Sequence, residues 1–245
     1  MDISVTGAKI IYQNDWFVLS EAVVNTWIVM AFITALCLIL THNLKVRPTS
    51  KRQIVAEFIV QKVNGLVHEN MGDRFCHFGP LVAATLSICA CCSLSSLLGM
   101  FAPTGDLSTM MGWALVVFVL ITYYKIKTNG LWGYIKGYFE PLPPLMPINV
   151  ISEVMTPMSM AFRHYGNVAA GSIISLLIYA VLAALSKAVL GLIPGAVGAA
   201  LSMIPIFQVG LPAIFSIYFD LFSGCVQAFI FCMLMMVNIS VAAEG

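Results

Sequence analysis

Apolar runs separated by short polar segments make up most of the chain, and their lengths predict membrane spans. The runs 18–44, 78–100 and 108–124 are each long enough to cross a bilayer as an α-helix, which takes roughly 17 residues or more. Two longer runs follow at 148–190 and 206–241. The pattern predicts an all-α polytopic membrane protein with about five membrane helices, in a single membrane domain.

The two long runs exceed what one perpendicular span requires. As a continuous helix, 148–190 would be ~65 Å long at about 1.5 Å per residue, whereas the hydrocarbon core is only ~30 Å thick. Each run therefore either breaks into two spans or forms one steeply tilted helix. Pro157 and Pro212 lie too near the starts to divide the runs, and no charged loop marks a midpoint. These features favour a long, tilted C-terminal helical hairpin.

The segment 50–72, between the first two spans, has a different pattern. Its apolar residues recur at helical spacing with polar residues between them, beginning with Ile54, Val55, Phe58 and Ile59. This pattern predicts an amphipathic helix that lies in the membrane interface. A helix packed on a partner protein is the alternative.

Composition and charge placement agree with a membrane protein and orient it. The chain is 60% hydrophobic and only 9% charged, whereas soluble domains average about 25% charged residues. Of the twelve Lys and Arg residues, six lie in 45–74 and three in 125–136. By the positive-inside rule these two loops are cytoplasmic, with the N-terminal segment 1–17 outside (periplasmic) and the C-terminus cytoplasmic.

Other compositional features exclude some function classes. The net charge of +1 argues against nucleic acid as a partner. The cluster CACC at 89–92 lacks the second Cys/His set that a zinc site needs, and we expect buried, reduced thiols rather than a metal or cofactor site. Residues 1–17 carry no basic region followed by an apolar run, so no cleavable signal peptide is expected. The aromatic cluster Trp132, Tyr134, Tyr138 and Phe139 is typical of interface anchors.

Among the residues of the apolar runs, Arg163 is the one whose presence most requires a functional explanation. An ionised side chain near the bilayer centre costs roughly 2.5–3.5 kcal/mol on insertion scales, and arginine stays charged beside almost any neighbour. On a helix, Asn149, Thr156 and Asn167 fall on nearly the same stripe as Arg163. The stripe predicts an ion path with a fixed positive charge, although the small residues in 166–171 would also suit plain helix packing.

Five further polar residues are candidates for ion translocation: Glu153, His164, Ser172, Asp220 and Gln227. Glu153 is one turn from Asn149, at the expected cytoplasmic entrance. Asp220 and Gln227 are seven residues apart and are expected to share a face. A carboxylate in lipid is a candidate proton-relay group or ion ligand, or an internal partner for Arg163. His164 can titrate near neutral pH or can simply be packed. Gln227 can also serve as an interhelical hydrogen-bond residue, and Ser172 projects from the face opposite Arg163.

Four segments resemble one family, subunit a of bacterial F-type ATP synthase: VNTWIVM at 24–30, FGPLVAATLSICACCSLSSLLGMFAPTGDLST at 78–109, INVISEVMTPMSMAFRHYGNVAAG at 148–171 and VQAFIFCMLMMVNIS at 226–240. They occur in the family's order over nearly the whole chain, and PxSxxxRxxGN around Arg163 is their most specific part. The resemblance implies a non-enzymatic stator subunit of the bacterial plasma membrane that translocates H⁺ or Na⁺. It also favours the tilted hairpin.

The same resemblance implies partners and residue roles. Two aqueous half-channels serve mid-membrane carboxylates on a rotating ring of c subunits, and Arg163 separates the channels. Asn167 and Gln227 match polar residues near that interface. Further implied partners are subunit b of the peripheral stalk, the other ATP synthase subunits and membrane lipid.

Three positions depart from the family's best-known pattern. Asn149 stands where many members carry a glutamate, a role open to Glu153. Ser172 replaces a frequent Glu or His, and Asp220 occupies the partner position on the other helix. Asp220 is then expected to be the principal titratable group of the outer half-channel.

Two other functions fit fewer features of the sequence. One is an independent secondary transporter in which Arg163 binds an anionic substrate, but the internal repeats of such folds are not evident. The other is an intramembrane enzyme using Asp220 and His164, but neither GxSxG nor HExxH is present.

Overall fold

The computed structural model describes residues 8–14, 17–45, 50–139, 143–190 and 217–244, and this part of the chain is predominantly helical. In chain order the longer helices are α1 (Glu21–Thr41), α2 (Lys51–Met71), α3 (Gly79–Leu94), α4 (Leu107–Gly137), α5 (Met146–Leu190) and α6 (Gly224–Glu244). Short 3₁₀ turns cover Asp73–Phe78, Ser95–Leu98, Pro103–Gly105 and Pro143–Leu145, and a π-helical segment covers Ile217–Ser223. By length and composition, five helical stretches of these residues can cross a membrane. The predicted all-α polytopic class is confirmed.

A short β-hairpin precedes α1, which the sequence pattern did not predict. Strands β1 (Ile10–Asn14) and β2 (Phe17–Ser20) pair antiparallel, with Tyr12 opposite Leu19. Both strands are rich in β-branched and aromatic residues, which favour extended backbone. The first helical residue, Glu21, donates its backbone N–H to the carbonyl of Lys9 at 2.8 Å, which joins the hairpin to α1.

The core lies between α3, α4, α6 and the first half of α5. Val82, Met110, Phe231 and Met236 are among its most buried side chains. Gly224 allows α6 to approach α3 closely, because a Cβ there would lie 3.2 Å from Cβ of Ser93.

Helix α1 lies at the periphery and exposes most of its apolar residues. Its polar start packs on protein: buried Asn25 donates from Nδ2 to the carbonyl of Phe101 at 2.8 Å. This hydrogen bond joins α1 to the segment just before the turn Pro103–Gly105.

Helix α2 keeps an exposed apolar stripe that includes Ile54, Phe58 and Ile59. Its C-terminal end is anchored by buried Val67 and Met71. The segment predicted to be an amphipathic helix is therefore helical, and its location in the membrane interface stays a prediction.

The first long apolar run forms one continuous helix. Helix α5 has 45 residues and contains Pro157, which gives it a length of about 67 Å at 1.5 Å per residue. The alternative of two spans within 148–190 is therefore wrong, because the helix passes through that range without a turn. The predicted hairpin turn and the start of its second arm, residues 191–216, lie outside the described residues.

Helix α4 contains a break at Gly130. Its backbone there has φ of 70° and ψ of 165°, a region that glycine enters without steric cost. The helix resumes and continues to Gly137, well beyond the predicted span 108–124. The break directs Tyr134 and Tyr138 toward α5.

Candidate functional site

Arg163 lies on the outer face of α5 and is exposed. It borders a cavity of about 400 Å³ between α5 and α6, whose other lining residues are Ser152, Met155, Thr156, Ser159, Met160, Leu234 and Asn238. Among the described side chains, no carboxylate lies within ion-pair distance of its guanidinium. Its positive charge is therefore available to a group outside this part of the chain.

A second cavity, of about 470 Å³, adjoins the first toward the start of α5. Polar groups from α4 and α5 line it, among them Lys125, Asn129, Tyr134, Tyr138, Asn149 and Glu153. Ser152 and Thr156 border both cavities. Polar side chains therefore follow one route from the C-terminal end of α4 to Arg163.

Glu153 is the most strongly bound group on this route. Its side chain is only 6% exposed, and Oε1 lies 3.3 Å from Nζ of Lys125. The Tyr138 hydroxyl donates to Oε2 at 2.5 Å, and the Tyr134 hydroxyl donates to Oε1 at 3.2 Å. The two hydroxyls also contact each other. Burial, followed by the hydrogen bond to Glu153, raises the pKa of Tyr138 above its ordinary value, so Tyr138 remains a donor at neutral pH.

Asn149 belongs to the same cluster through the backbone. Its Nδ2 donates to the carbonyl of Tyr138 at 3.0 Å, which holds the end of α4 against α5. The sequence pattern indicates Asn149 and Glu153 but not Lys125 or the two tyrosines, because aromatics near the end of a span are also typical of interface anchors. The sequence signal for the two tyrosines is that they lie four residues apart and each directly follows a glycine.

Beyond Arg163, a third cavity of about 230 Å³ begins. Its polar lining includes Ser93, Ser96, Tyr165, Asn167 and Ser172. Asn167 and Ser223 form a reciprocal pair, with Nδ2 donating to Oγ at 2.8 Å and Oγ donating to Oδ1 at 3.0 Å. Arg163 thus lies along α5 between two cavities that share Ser152 and Thr156 and this third one.

His164 does not share the surface of Arg163. It is fully buried, with Nε2 at 3.3 Å from Oγ of Ser93 and its ring edge toward Phe231. Ser93 in turn lies 3.3 Å from Oγ1 of Thr104. Ser93 and Thr104 were not identified from the sequence, because isolated hydroxyls in apolar runs give no pattern.

The remaining candidates lie on the second arm of the hairpin. Gln227 is buried in α6, at 8% exposure. The backbone of Asp220 belongs to the π-helical segment Ile217–Ser223, and its side chain lies outside the described part. Because a π-helix has more residues per turn than an α-helix, a spacing of seven no longer implies that Asp220 and Gln227 share a face.

The described residues contain no group of three or more His, Cys, Asp or Glu side chains that could hold a metal ion. Cys89, Cys92 and Cys232 are buried free thiols.

Comparisons with known proteins agree on one family. Residues 23–240 match the family described as ATP synthase A chain. The chain is 30% identical over 236 residues to ATP synthase subunit a of Desulforamulus reducens, which covers 94% of this chain and 83% of that one. It is 31% identical over 239 residues to "ATP synthase subunit a, sodium ion specific" of Propionigenium modestum, covering 91% and 74%. It is 28% identical over 241 residues to ATP synthase subunit a 1 of Crocosphaera subtropica, covering 97% and 94%.

Proposed function

The chain belongs to the ATP synthase A chain family, and we propose that Arg163 is the fixed charge that divides its ion path into two half-channels. Membership makes the chain a non-catalytic, ion-translocating membrane subunit of the Fo sector of an F-type ATP synthase. The observation that carries the proposal is the exposed position of Arg163 between two groups of polar cavities.

The inner half-channel in this proposal consists of the two cavities that share Ser152 and Thr156. An ion on this route passes Glu153 and Asn149, then Ser152 and Thr156, before it reaches the cavity of Arg163. Glu153, rather than Asn149, supplies the carboxylate of this half-channel. Lys125 balances its charge, so the entrance carries no large net field.

The outer half-channel in this proposal is the cavity beside Asn167 and Ser172. Its described polar lining consists of hydroxyl and amide groups, which can carry a hydrated ion or a chain of waters. Phe219 also borders it. Asp220, the next residue, is the proposed titratable group on that side.

Arg163 separates the halves through its charge. Two unit charges 4 Å apart interact by about 4 kcal/mol at an effective dielectric constant of 20, which makes the direct passage of a cation about a thousandfold less favourable. An attraction of the same size holds an ionised carboxylate that enters from outside. We assign that carboxylate to the ring of c subunits, so each one exchanges its ion between the halves as it passes Arg163.

The proposal includes an orientation and further partners. The basic segments 45–74 and 125–136 face the cytoplasm, and the β-hairpin and the start of α1 face outward. The exposed apolar stripe of α2 lies in the cytoplasmic interface of a bacterial plasma membrane. Subunit b of the peripheral stalk holds the chain still while the ring turns.

The experiment that tests the proposal is Arg163→Ala in the complete ATP synthase, reconstituted in liposomes. We expect the complex to assemble and ion-driven ATP synthesis to fall below detection, because a passing carboxylate no longer meets a fixed charge. Lys187→Ala is the matched control, since it removes an exposed cation near the other end of the same helix. Normal synthesis in the Arg163 variant would refute the proposal.

A further inference from the structure

His164 is the most enclosed polar side chain next to the charged face of α5, and the proposed ion path does not use it. Its imidazole is fully buried, whereas the preceding residue, Arg163, is exposed. The nearby buried residues of α5 are Pro157, Met160 and Ala161. An imidazole is therefore the exception among these apolar neighbours.

Three elements hold this imidazole. Nε2 lies 3.3 Å from Oγ of Ser93 on α3, and that oxygen lies 3.3 Å from Oγ1 of Thr104 in the turn Pro103–Gly105. The ring meets Phe231 of α6 edge-on, with centroids 6.0 Å apart and an interplanar angle of 84°. Ser93 and Thr104 are themselves buried, at 4% and 3% exposure.

Burying His164 costs stability, because one of its ring nitrogens has no partner among the described atoms, and this cost indicates that the imidazole has a role. Nδ1 of His164 is buried without a hydrogen-bond partner among the described atoms, and an unpaired buried nitrogen destabilises a fold. A leucine would fill a similar volume without that cost. The imidazole offers direction instead, because a hydrogen bond fixes an orientation that apolar contacts leave free.

We propose that His164 is a positioning residue that fixes the rotation of α5 about its axis, so that Arg163 faces outward. Neighbouring residues on an α-helix are ~100° apart, so a modest rotation of α5 turns the guanidinium away from its cavity. The Asn167–Ser223 pair provides a second tie one turn later. The inference rests on the proposed function of Arg163, because only a charge that must face a moving partner needs such a lock.

The test uses the complete complex and measures two quantities separately: the rotation of α5, and the coupling between ATP hydrolysis and ion pumping. Ser159→Cys reports the face of Arg163, and Phe162→Cys reports the neighbouring exposed face. Their rates of modification by a water-soluble methanethiosulfonate reagent are compared with those of the parent, which carries the native cysteines. Coupling is measured as ions pumped per ATP hydrolysed.

His164→Leu and His164→Gln are then compared in both assays. Leucine removes the bond to Ser93, whereas the glutamine Nε2 reaches about as far as the imidazole Nε2. We expect leucine to change the 159-to-162 modification ratio and to lower coupling roughly tenfold, and glutamine to restore both. Ser95→Ala removes another buried hydroxyl of α3, which bonds to the Cys92 carbonyl instead, and should change neither.

A parental ratio and parental coupling in His164→Leu would overturn the proposal. If that variant does not assemble, the modification ratio of Ser93→Ala decides instead, because this change removes the hydroxyl partner and leaves the imidazole in place. Its coupling is not used, since Ser93 also lines the third cavity, and a parental ratio would overturn the proposal. The modification ratio does not depend on the role of Arg163. If Arg163→Ala pumps normally, the proposed function fails, and the ratio still decides whether His164 orients α5.

Discussion

Glu153 combines two properties at the scale of a single residue: it borders the inner cavity, and it is bound by three side chains. The ammonium of Lys125 and the hydroxyls of Tyr134 and Tyr138 occupy both carboxylate oxygens. Hydrogen bonds to a charged group contribute about 1.5–3 kcal/mol each. The carboxylate therefore serves either as a group that exchanges ions or as a fixed counter-charge for Lys125.

Glu153→Gln separates these roles when it is combined with Lys125→Gln. We expect the single glutamate variant to lose most ion flux in liposomes carrying the whole complex, because an amide at position 153 neither exchanges an ion nor compensates Lys125. If Glu153 exchanges ions, the double variant remains inactive. Recovery of flux in the double variant would contradict that role and leave Glu153 as a counter-charge. Glu57→Gln changes an exposed carboxylate on α2 and should leave flux unaltered.

The sequence predicts Glu153 as a site residue but does not predict the side chains that bind it. Helical spacing was enough to place Glu153 and Asn149 near one another. The contact with Tyr138 depends on the break at Gly130, and a positive φ at a glycine is set by the packing around it rather than by a local pattern. His164 was a candidate for the ion path from its chemistry alone, whereas its burial follows from the packing of three elements.

At the scale of elements, the contact between α3 and α6 depends on Gly224, which has no side chain. A Cβ at Gly224 would lie 3.2 Å from Cβ of Ser93, whereas a Cβ at Gly112 of α4 would meet nothing within 4 Å. We expect Gly224→Leu to destabilise the subunit by about 1–3 kcal/mol through overpacking. Gly112→Leu is the matched control and should be neutral. The measurement is the temperature at which the detergent-solubilised complex loses this subunit, and equal midpoints for the two variants would refute the prediction.

The elements themselves were largely predictable, and the exceptions have a common cause. The length of an apolar run is sufficient to indicate a membrane helix, since every backbone group in lipid must be paired. The β-hairpin before α1 and the π-helical turn Ile217–Ser223 were not predicted. In both segments the observed backbone hydrogen bonds are close in free energy to those of another backbone conformation. Tertiary packing then decides which conformation forms.

At the scale of the whole complex, the proposed role of Asp220 can be tested by identifying the ion that the outer half-channel carries. We expect Asp220→Asn to abolish flux in liposomes when pH and Na⁺ are varied separately, because an amide cannot take up a proton. Flux in the unaltered complex should then follow pH alone. Asp73→Asn is the control, since Asp73 is an exposed carboxylate paired with His68. If flux instead follows Na⁺ and the Asp220 variant still conducts, the hydroxyl and amide groups around Asn167 suffice, and the outer half-channel is a hydrated pore without a titrating side chain.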